Sequence, residues 1–438
     1  MTTASISSSI QNGSDAQQQS PPPLPGTEGL RSNWVRVAAP KNKQWTTAMD
    51  GVDKLKLAEA DLPTPGDGEV LVRIHTVSLN YRDVEVCEGV FNHFSTQAQT
   101  GQSLVPCSDM CGTVVDVSHS SSRSTGRFKP GDRVLAIFLQ SHLHGDVQEE
   151  DLASALGGPL PGVLAQYRCF PAESLVAAPS HLSDAEACCL PLAAATAWTA
   201  LNWMRPLVRP SSSTNEVRYG GGGGGGNSSS GSGSNNRSVL LQGTTAVALA
   251  GLQMAKAAGL TAVITGPTDD FAQRAKDELG ADEAINYQTH WAWEGDVLRA
   301  TGGRGADIIF ETGGGDGGAR TLGKSFKCVA FGGLINCIGS PSGRGDDDDG
   351  NGGNGGGGDK TPKLHRLNVN ALALTRNVTI RGVLNGGRDR LEEALAFYAE
   401  HGIKPVVDAT YAFDKAGEAL AYVKKGKHFG KVVITVGE

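Results

Sequence analysis

The chain of 438 residues contains no run of about 18 apolar residues of the kind that crosses a bilayer, so no membrane span is expected. It also lacks an excess of positive charge. Lys and Arg number 39 against 46 Asp and Glu, a net charge of −7, whereas neutralising nucleic-acid phosphates requires a basic face. Nucleic acid is therefore not expected as a partner. Residues Met1–Gly29 hold no apolar stretch and no Lys or Arg, so neither a secretory nor a mitochondrial leader is read, and a cytoplasmic location is the default expectation. Cysteine is sparse, with eight in all, mostly within apolar runs, and reduced buried thiols are expected. The close pair Cys107 and Cys111 has no second Cys or His pair at zinc-site spacing, which excludes a structural zinc. Apolar residues make up 39%, enough for an ordinary globular core.

Glycine is abundant but unevenly placed. Of the 59 glycines, 18 fall in two low-complexity runs, Gly220–Asn236 and Gly343–Asp359. Each reads as a surface insert, which the slow growth of loop-closure entropy with length makes tolerable. The Asp346–Asp349 cluster lacks the spacing and distal Glu of a calcium loop, and reads as a solvated acidic stretch. The first residues, rich in Ser, Gln and Pro, cannot bury a core.

Between these segments the pattern changes once. Glu69–Ser78, Val105–Val117 and Asp132–Phe138 read as strands, with Lys129-Pro130-Gly131-Asp132 as a turn. From Ser183, a helix N-cap with Glu186 three residues on, an Ala-rich helix is predicted to Trp203. Strands Ser238–Gln242, Thr261–Thr265, Asp307–Glu311 and Leu334–Gly339 follow, with helices Val247–Ala258 and Asp270–Leu279 interleaved. Short apolar strands alternating with helices predict a doubly wound parallel sheet of the dinucleotide-binding kind. The end reads as a helix from Asp389, a strand Val406–Phe413, a helix, and the strand Lys431–Val436.

A dinucleotide site needs a glycine-rich turn between the first strand and helix of that sheet. Here the three fingerprint positions hold Gly243, Thr245 and Ala248. Ala is acceptable at the third, whereas Thr at the second is a departure. Ala246 and Val247, at the helix start, would offer N–H groups to a phosphate. At the next strand end Thr265-Gly266-Pro267-Thr268 supplies no acid to accept from a ribose 2′-hydroxyl, which favours NADP(H) over NAD(H), although no Lys or Arg takes its place.

Gly68–Val72 with Ser78-Leu79-Asn80-Tyr81-Arg82-Asp83, Phe128–Val134, Ala165-Gln166-Tyr167, Pro191–Trp198, Leu279–Asp282, Ile285-Asn286-Tyr287 and His428–Val433 occur in one order along nearly the whole folded chain. In that order they resemble the zinc-less quinone-reductase and enoyl-reductase branch of the medium-chain dehydrogenase/reductase superfamily. The resemblance implies an α/β architecture. A mainly β, GroES-like catalytic domain would comprise residues 34–181 plus 386–438. A Rossmann-type domain would comprise 182–385, with inserts at 219–237 and 342–361 and a tail at 1–33. It also implies a nicotinamide cofactor near Thr196, Tyr287, Gly339 and Lys431.

Zinc-dependent relatives carry a Cys where this chain has Asn80, and Gly-His-Glu where it has Cys107-Ser108-Asp109. An amide and a hydroxyl are poor zinc ligands, so no zinc is expected and alcohol oxidation loses its Lewis acid. The expected reaction is hydride transfer to an enone, enal or quinone, with a small-molecule carbonyl or quinone as partner. Asn80 is a candidate donor to a developing enolate oxygen, and Tyr81 is either a proton donor or an aromatic wall. Asp83 is read as holding the loop through backbone hydrogen bonds. At Phe91 a tyrosine of some relatives is missing. His142 and His144, in a polar loop, read as solvated. Two other readings stay open: a cofactor-binding or scaffold protein of the same fold that has lost turnover, and an alcohol dehydrogenase-like enzyme. A homodimer is expected, if anywhere, through a sheet edge near Leu334–Gly339.

Overall fold

The structure, a computed structural model, describes residues 41–90, 103–118, 125–203, 237–313, 318–338 and 367–437. The tail 1–33, Phe91, Gly339, the Asp346–Asp349 cluster and the two inserts, apart from Arg237, lie outside these. Strands β1 (Lys41–Thr46) and β2 (Lys56–Asp61) pair antiparallel. A second sheet is built from β3 (Glu69–Leu79), β4 (Asp109–Val117), β5 (Arg133–Ala136), β6 (Tyr167–Pro171) and β7 (Leu175–Ala177), with α1 (Tyr81–Cys87) between β3 and β4. Strand β3 is its axis: Val70, Val72, Ile74, Val77 and Leu79 are buried, as expected of a strand covered on both faces.

Helices α2 (Asp184–Ala187) and α3 (Leu190–Leu201) lead out of this sheet. They replace the single helix expected from Ser183 to Trp203. Pro191 cannot donate the hydrogen bond an interior helical residue owes, so it starts a new helix instead of continuing the old one. The six-stranded parallel sheet then comprises β8 (Ser238–Gln242), β9 (Thr261–Gly266), β10 (Glu283–Asn286), β11 (Ala306–Glu311), β12 (Val329–Cys337) and β13 (Thr379–Gly382), in the order β10-β9-β8-β11-β12-β13. Helices α4 (Ala246–Ala257), α5 (Asp269–Leu279), α6 (Trp293–Ala300), α7 (Gly318–Cys328) and α8 (Val369–Arg376) connect its strands. After α9 (Arg388–His401), β14 (Val407–Ala412), α10 (Ala416–Lys424) and β15 (Lys431–Thr435) return the chain to the first sheet. There β15 pairs antiparallel with β3, in the order β14-β15-β3-β4-β5-β7.

One strand start and one sheet edge differ from the expectation. The strand expected from Val105 begins only at Asp109, because Pro106 has no N–H and Cys107 is left-handed at φ 72°. Strand β12 is not a sheet edge: it pairs with β11 on one side and β13 on the other, so the expected homodimer edge near Leu334–Gly339 is already covered. Successive strands step outward from β8 to β10, then restart at β11 on the other side of β8. This reversal leaves a crevice at the carboxyl ends of β8 and β11.

Candidate active site

Strand β8 is buried throughout and delivers the chain to that crevice. Gly243 follows at φ 76°, a conformation that disfavours any side chain, and a Cβ there would lie 3.2 Å from Thr312 Oγ1. The turn is braced on both sides. Gly243 N–H donates to Thr265 O at 3.0 Å, while Thr312 Oγ1 donates to Gln242 O at 2.6 Å. Thr245 is the N-cap of α4, its hydroxyl oxygen accepting from Ala248 N–H at 3.2 Å. The residue in the second glycine position therefore spends its oxygen on its own helix. Ala246 and Val247 form the first turn, where N–H groups lack intrahelical partners and the helix dipole favours an anion. The cradle fits the pyrophosphate of a dinucleotide.

Beneath this turn lies a polar knot the sequence reading missed. Buried Glu311 accepts from Gln242 Nε2 at 3.1 Å, Ser325 Oγ at 2.6 Å, Thr321 Oγ1 at 2.6 Å and Gly313 N–H at 3.1 Å. Burial raises the pKa of its carboxyl above the ordinary range, against these donors. The only signal in the sequence is a pair of polar residues, Gln242 and Glu311, each following a run of three apolar residues in its strand.

At the next strand end Thr265 is buried and Gly266 is forced: a Cβ there would come within 1.9 Å of the Phe271 ring on α5. Asp269, the nearest acid, accepts from Asn286 Nδ2 at 2.8 Å. Tyr287 donates its backbone N–H to Gly266 O at 3.0 Å, and burial raises its phenol pKa. Thus Gly243, Thr245, Ala246, Val247, Thr265 and Tyr287 gather at the ends of β8, β9 and β10.

Opposite elements carry the charged part of the site. Asn80 ends β3 and starts α1, its backbone N–H donating to Asp83 Oδ2 at 2.8 Å. Asp83 is fully buried, and burial pushes its pKa up to about 6 despite the adjoining Arg82 guanidinium. Arg82 ties α1 down, donating to Leu156 O at 3.0 Å and lying over the Phe138 ring. The Asn80 side chain donates through Nδ2 to Asp109 Oδ2 at 2.9 Å and accepts through Oδ1 from Lys431 Nζ at 2.6 Å. Lys431 Nζ lies farther, 3.3 Å, from Asp109 Oδ2. Strand register explains the meeting: Ser78 is opposite Asp109 on one side and Val433 on the other, so the ends of β3, β4 and β15 adjoin. Asp109 is 0%, Lys431 4% and Asn80 9% exposed.

Tyr81, beside Asn80, is 54% exposed and its hydroxyl has no hydrogen bond among the described residues. Thr196, buried in α3, has its Oγ1 2.7 Å from Leu192 O and 3.1 Å from Asn385 Oδ1. Asn385 was not anticipated because β13, which precedes it, was not read from the sequence. His142 corrects another expectation. It is buried, not solvated, with Nε2 3.0 Å from Gly145 O, because its loop folds onto the start of α9 where Arg388 N–H donates to His142 O. His144 is exposed.

The donor set does not suit zinc. Asn80 offers an amide already bonded to an ammonium, Ser108 a buried hydroxyl without a hydrogen bond, and Asp109 one carboxylate. A divalent cation would have to share Asn80 Oδ1 with Lys431 Nζ at 2.6 Å, against charge repulsion. Among the described residues, no group of three His, Cys, Asp or Glu converges to hold a metal ion. The cysteines are free thiols, and Cys107 and Cys111, both buried, have their pKa values raised by burial.

Comparison with known proteins places the chain among dehydrogenases. Residues 66–180 match the alcohol dehydrogenase GroES-like domain, and residues 279–434 match the zinc-binding dehydrogenase family. The chain is 32% identical over 389 residues to a zinc-type alcohol dehydrogenase-like protein of Schizosaccharomyces pombe, covering 89% of this chain and 97% of that protein. It is 26% identical over 390 residues to a chloroplastic quinone-oxidoreductase of Triphysaria versicolor, covering 88% and 94% respectively. A solved structure assigned as an alcohol dehydrogenase from Sinorhizobium meliloti 1021 superposes with a TM-score of 0.69 at 35% identity, covering 90% of this chain and 98% of that one.

Proposed function

Because the chain belongs to the medium-chain dehydrogenase/reductase superfamily, we propose that it is a zinc-independent, NAD(P)H-dependent reductase of activated acceptors: enones, enals or quinones. The observation that carries the reading is the bonding of Asn80 to Lys431 and Asp109, which fills with an ammonium the ground a catalytic metal would need. The first turn of α4 and Gly243 would bind the pyrophosphate, with Thr265 and Tyr287 at the neighbouring strand ends. Thr196 and Asn385 would orient the nicotinamide ring, which when bound supplies the hydride. NADPH is favoured because residues 265–268 carry no acid and Asp269 is engaged by Asn286. Asn80 would donate to the acceptor oxygen, and exposed Tyr81 would hold a proton at its hydroxyl. Asp83 would fix the Asn80 backbone.

Reduction of a polarised C=C or quinone needs oriented hydride and a hydrogen-bond donor, not a Lewis acid to acidify an alcohol. Purified protein incubated with NADPH or NADH and a panel of enones, enals and quinones should oxidise the nucleotide in an acceptor-dependent way. A gain of reduced-nicotinamide absorbance with simple alcohols and NAD(P)+ as the only productive pair would overturn the proposal. Cofactor binding by fluorescence titration without turnover on any acceptor would identify a binding protein instead.

A further inference from the structure

We infer that Lys431 is a positioning residue that, together with Asp109, locks and polarises the Asn80 carboxamide into an oxyanion donor. The inference rests on the reductase reading above. A carboxamide has one acceptor oxygen and two N–H donors. Lys431 takes the oxygen and Asp109 one N–H, which leaves a single Nδ2–H without a partner among the described residues. The amide cannot flip, because both its ends are matched: an ammonium on oxygen, a carboxylate on nitrogen.

The distances decide what the lysine does. Lys431 Nζ is 2.6 Å from the amide oxygen but 3.3 Å from the Asp109 carboxylate, so its charge acts first on the amide. A charge-assisted bond to the carbonyl oxygen draws electron density from nitrogen and strengthens the remaining N–H as a donor. Burial of all three groups keeps water from screening this effect. The cluster is a poor device for stability alone: Asp109 Oδ1 is buried with no hydrogen bond, and buried ion pairs seldom repay their desolvation.

In the reaction this serves, hydride adds to the β-carbon of an enone and the C=C electron pair moves onto the carbonyl oxygen as an enolate. The Asn80 Nδ2–H stabilises that oxygen. A proton from Tyr81 or water then reaches the α-carbon, leaving saturated ketone and oxidised nicotinamide.

The test uses 4-nitrophenol, whose ionised form mimics the enolate oxygen and absorbs distinctly. Bound to the full-length protein loaded with NADP+, its phenolate-to-phenol ratio at fixed pH should rise about tenfold over buffer. Lys431→Met should return the ratio to that in buffer, and Lys431→Arg should retain most of the rise. Lys431→Met strands Asp109 as a buried charge, so Lys431→Met/Asp109→Asn, which removes both charges, carries the same prediction if the single variant does not fold. With an active enone, kcat should fall about a hundredfold, while KM and NADPH affinity change by less than about threefold. No rise in wild type, or a rise and kcat preserved in Lys431→Met while NADPH affinity collapses, overturns the inference. The second pattern would make Lys431 a phosphate ligand. A phenolate rise that Lys431→Met abolishes, in a wild type that reduces no acceptor, would retain the inference and reject the reductase reading.

Discussion

The two sides of the crevice present polar groups by opposite means. On the parallel-sheet side, the groups that would face a dinucleotide phosphate are backbone N–H donors of a tight turn and a helix start, braced by neutral hydroxyls and one buried carboxyl. On the β3–β4–β15 side, the proposed working group is an amide held between a buried ammonium and a buried carboxylate. Backbone donors tolerate sequence change provided the chain path survives, which would allow Thr at position 245, where the fingerprint has glycine. Side-chain groups depend on identity at each position, and the three here, Asn80, Asp109 and Lys431, arrive from distant parts of the chain.

Breaking the turn should have the largest effect. Gly243→Val puts a branched side chain at φ 76° beside Thr312, and should cost at least about a hundredfold in NADPH affinity with acceptor binding little changed. Glu311→Ala strips the brace and leaves the Thr321 and Ser325 hydroxyls without their acceptor. Urea unfolding should reveal a loss of about 4 kcal/mol, and Glu311→Gln clearly less.

Asp83 offers a contrast in pH. Its native pKa of about 6 lies above the ordinary 3.8, so the native state holds the proton more tightly than the unfolded chain does. This contribution is complete below about pH 4 and is lost as pH rises through about 6, amounting at most to about 3 kcal/mol. Thermal melts of Asp83→Asn should therefore show a flatter dependence between pH 4 and 6 than wild type. A slope unchanged by the substitution would remove Asp83 as its source.

The smallest effect is expected at Thr245. Thr245→Ala should cost about 1 kcal/mol as a lost N-cap, and Thr245→Gly only a few tenths, measured by thermal unfolding. NADPH affinity that drops more than about tenfold in Thr245→Ala alone would mean the hydroxyl serves the phosphate and not the helix.

Much of the parallel-sheet side was legible in the sequence. Short apolar strands, N-caps and a glycine at the first turn are local features, and β8, β9, β11, α4 and α5 lie within a residue of their expected ends. The opposite side was legible only in part. Asn80 and Asp83 stand in one short motif, but the bond from Lys431 to Asn80 spans 351 positions and follows from sheet register, which no local pattern encodes. Strand β13 and Asn385 were missed because a low-complexity run precedes them and the strand is only four residues long. Helix α1 reads as a loop from the resemblance of its motif, and its seven residues carry no long helical periodicity; burial of Val84 and Val86 supports the helix.

On the proposed function, this site reduces an activated acceptor without a metal. The most direct test is acceptor-dependent NADPH oxidation by protein passed through a strong chelator, with zinc measured in the same sample by elemental analysis. Full turnover is expected with zinc far below one per chain. Activity that vanishes on chelation and returns with added zinc would contradict it.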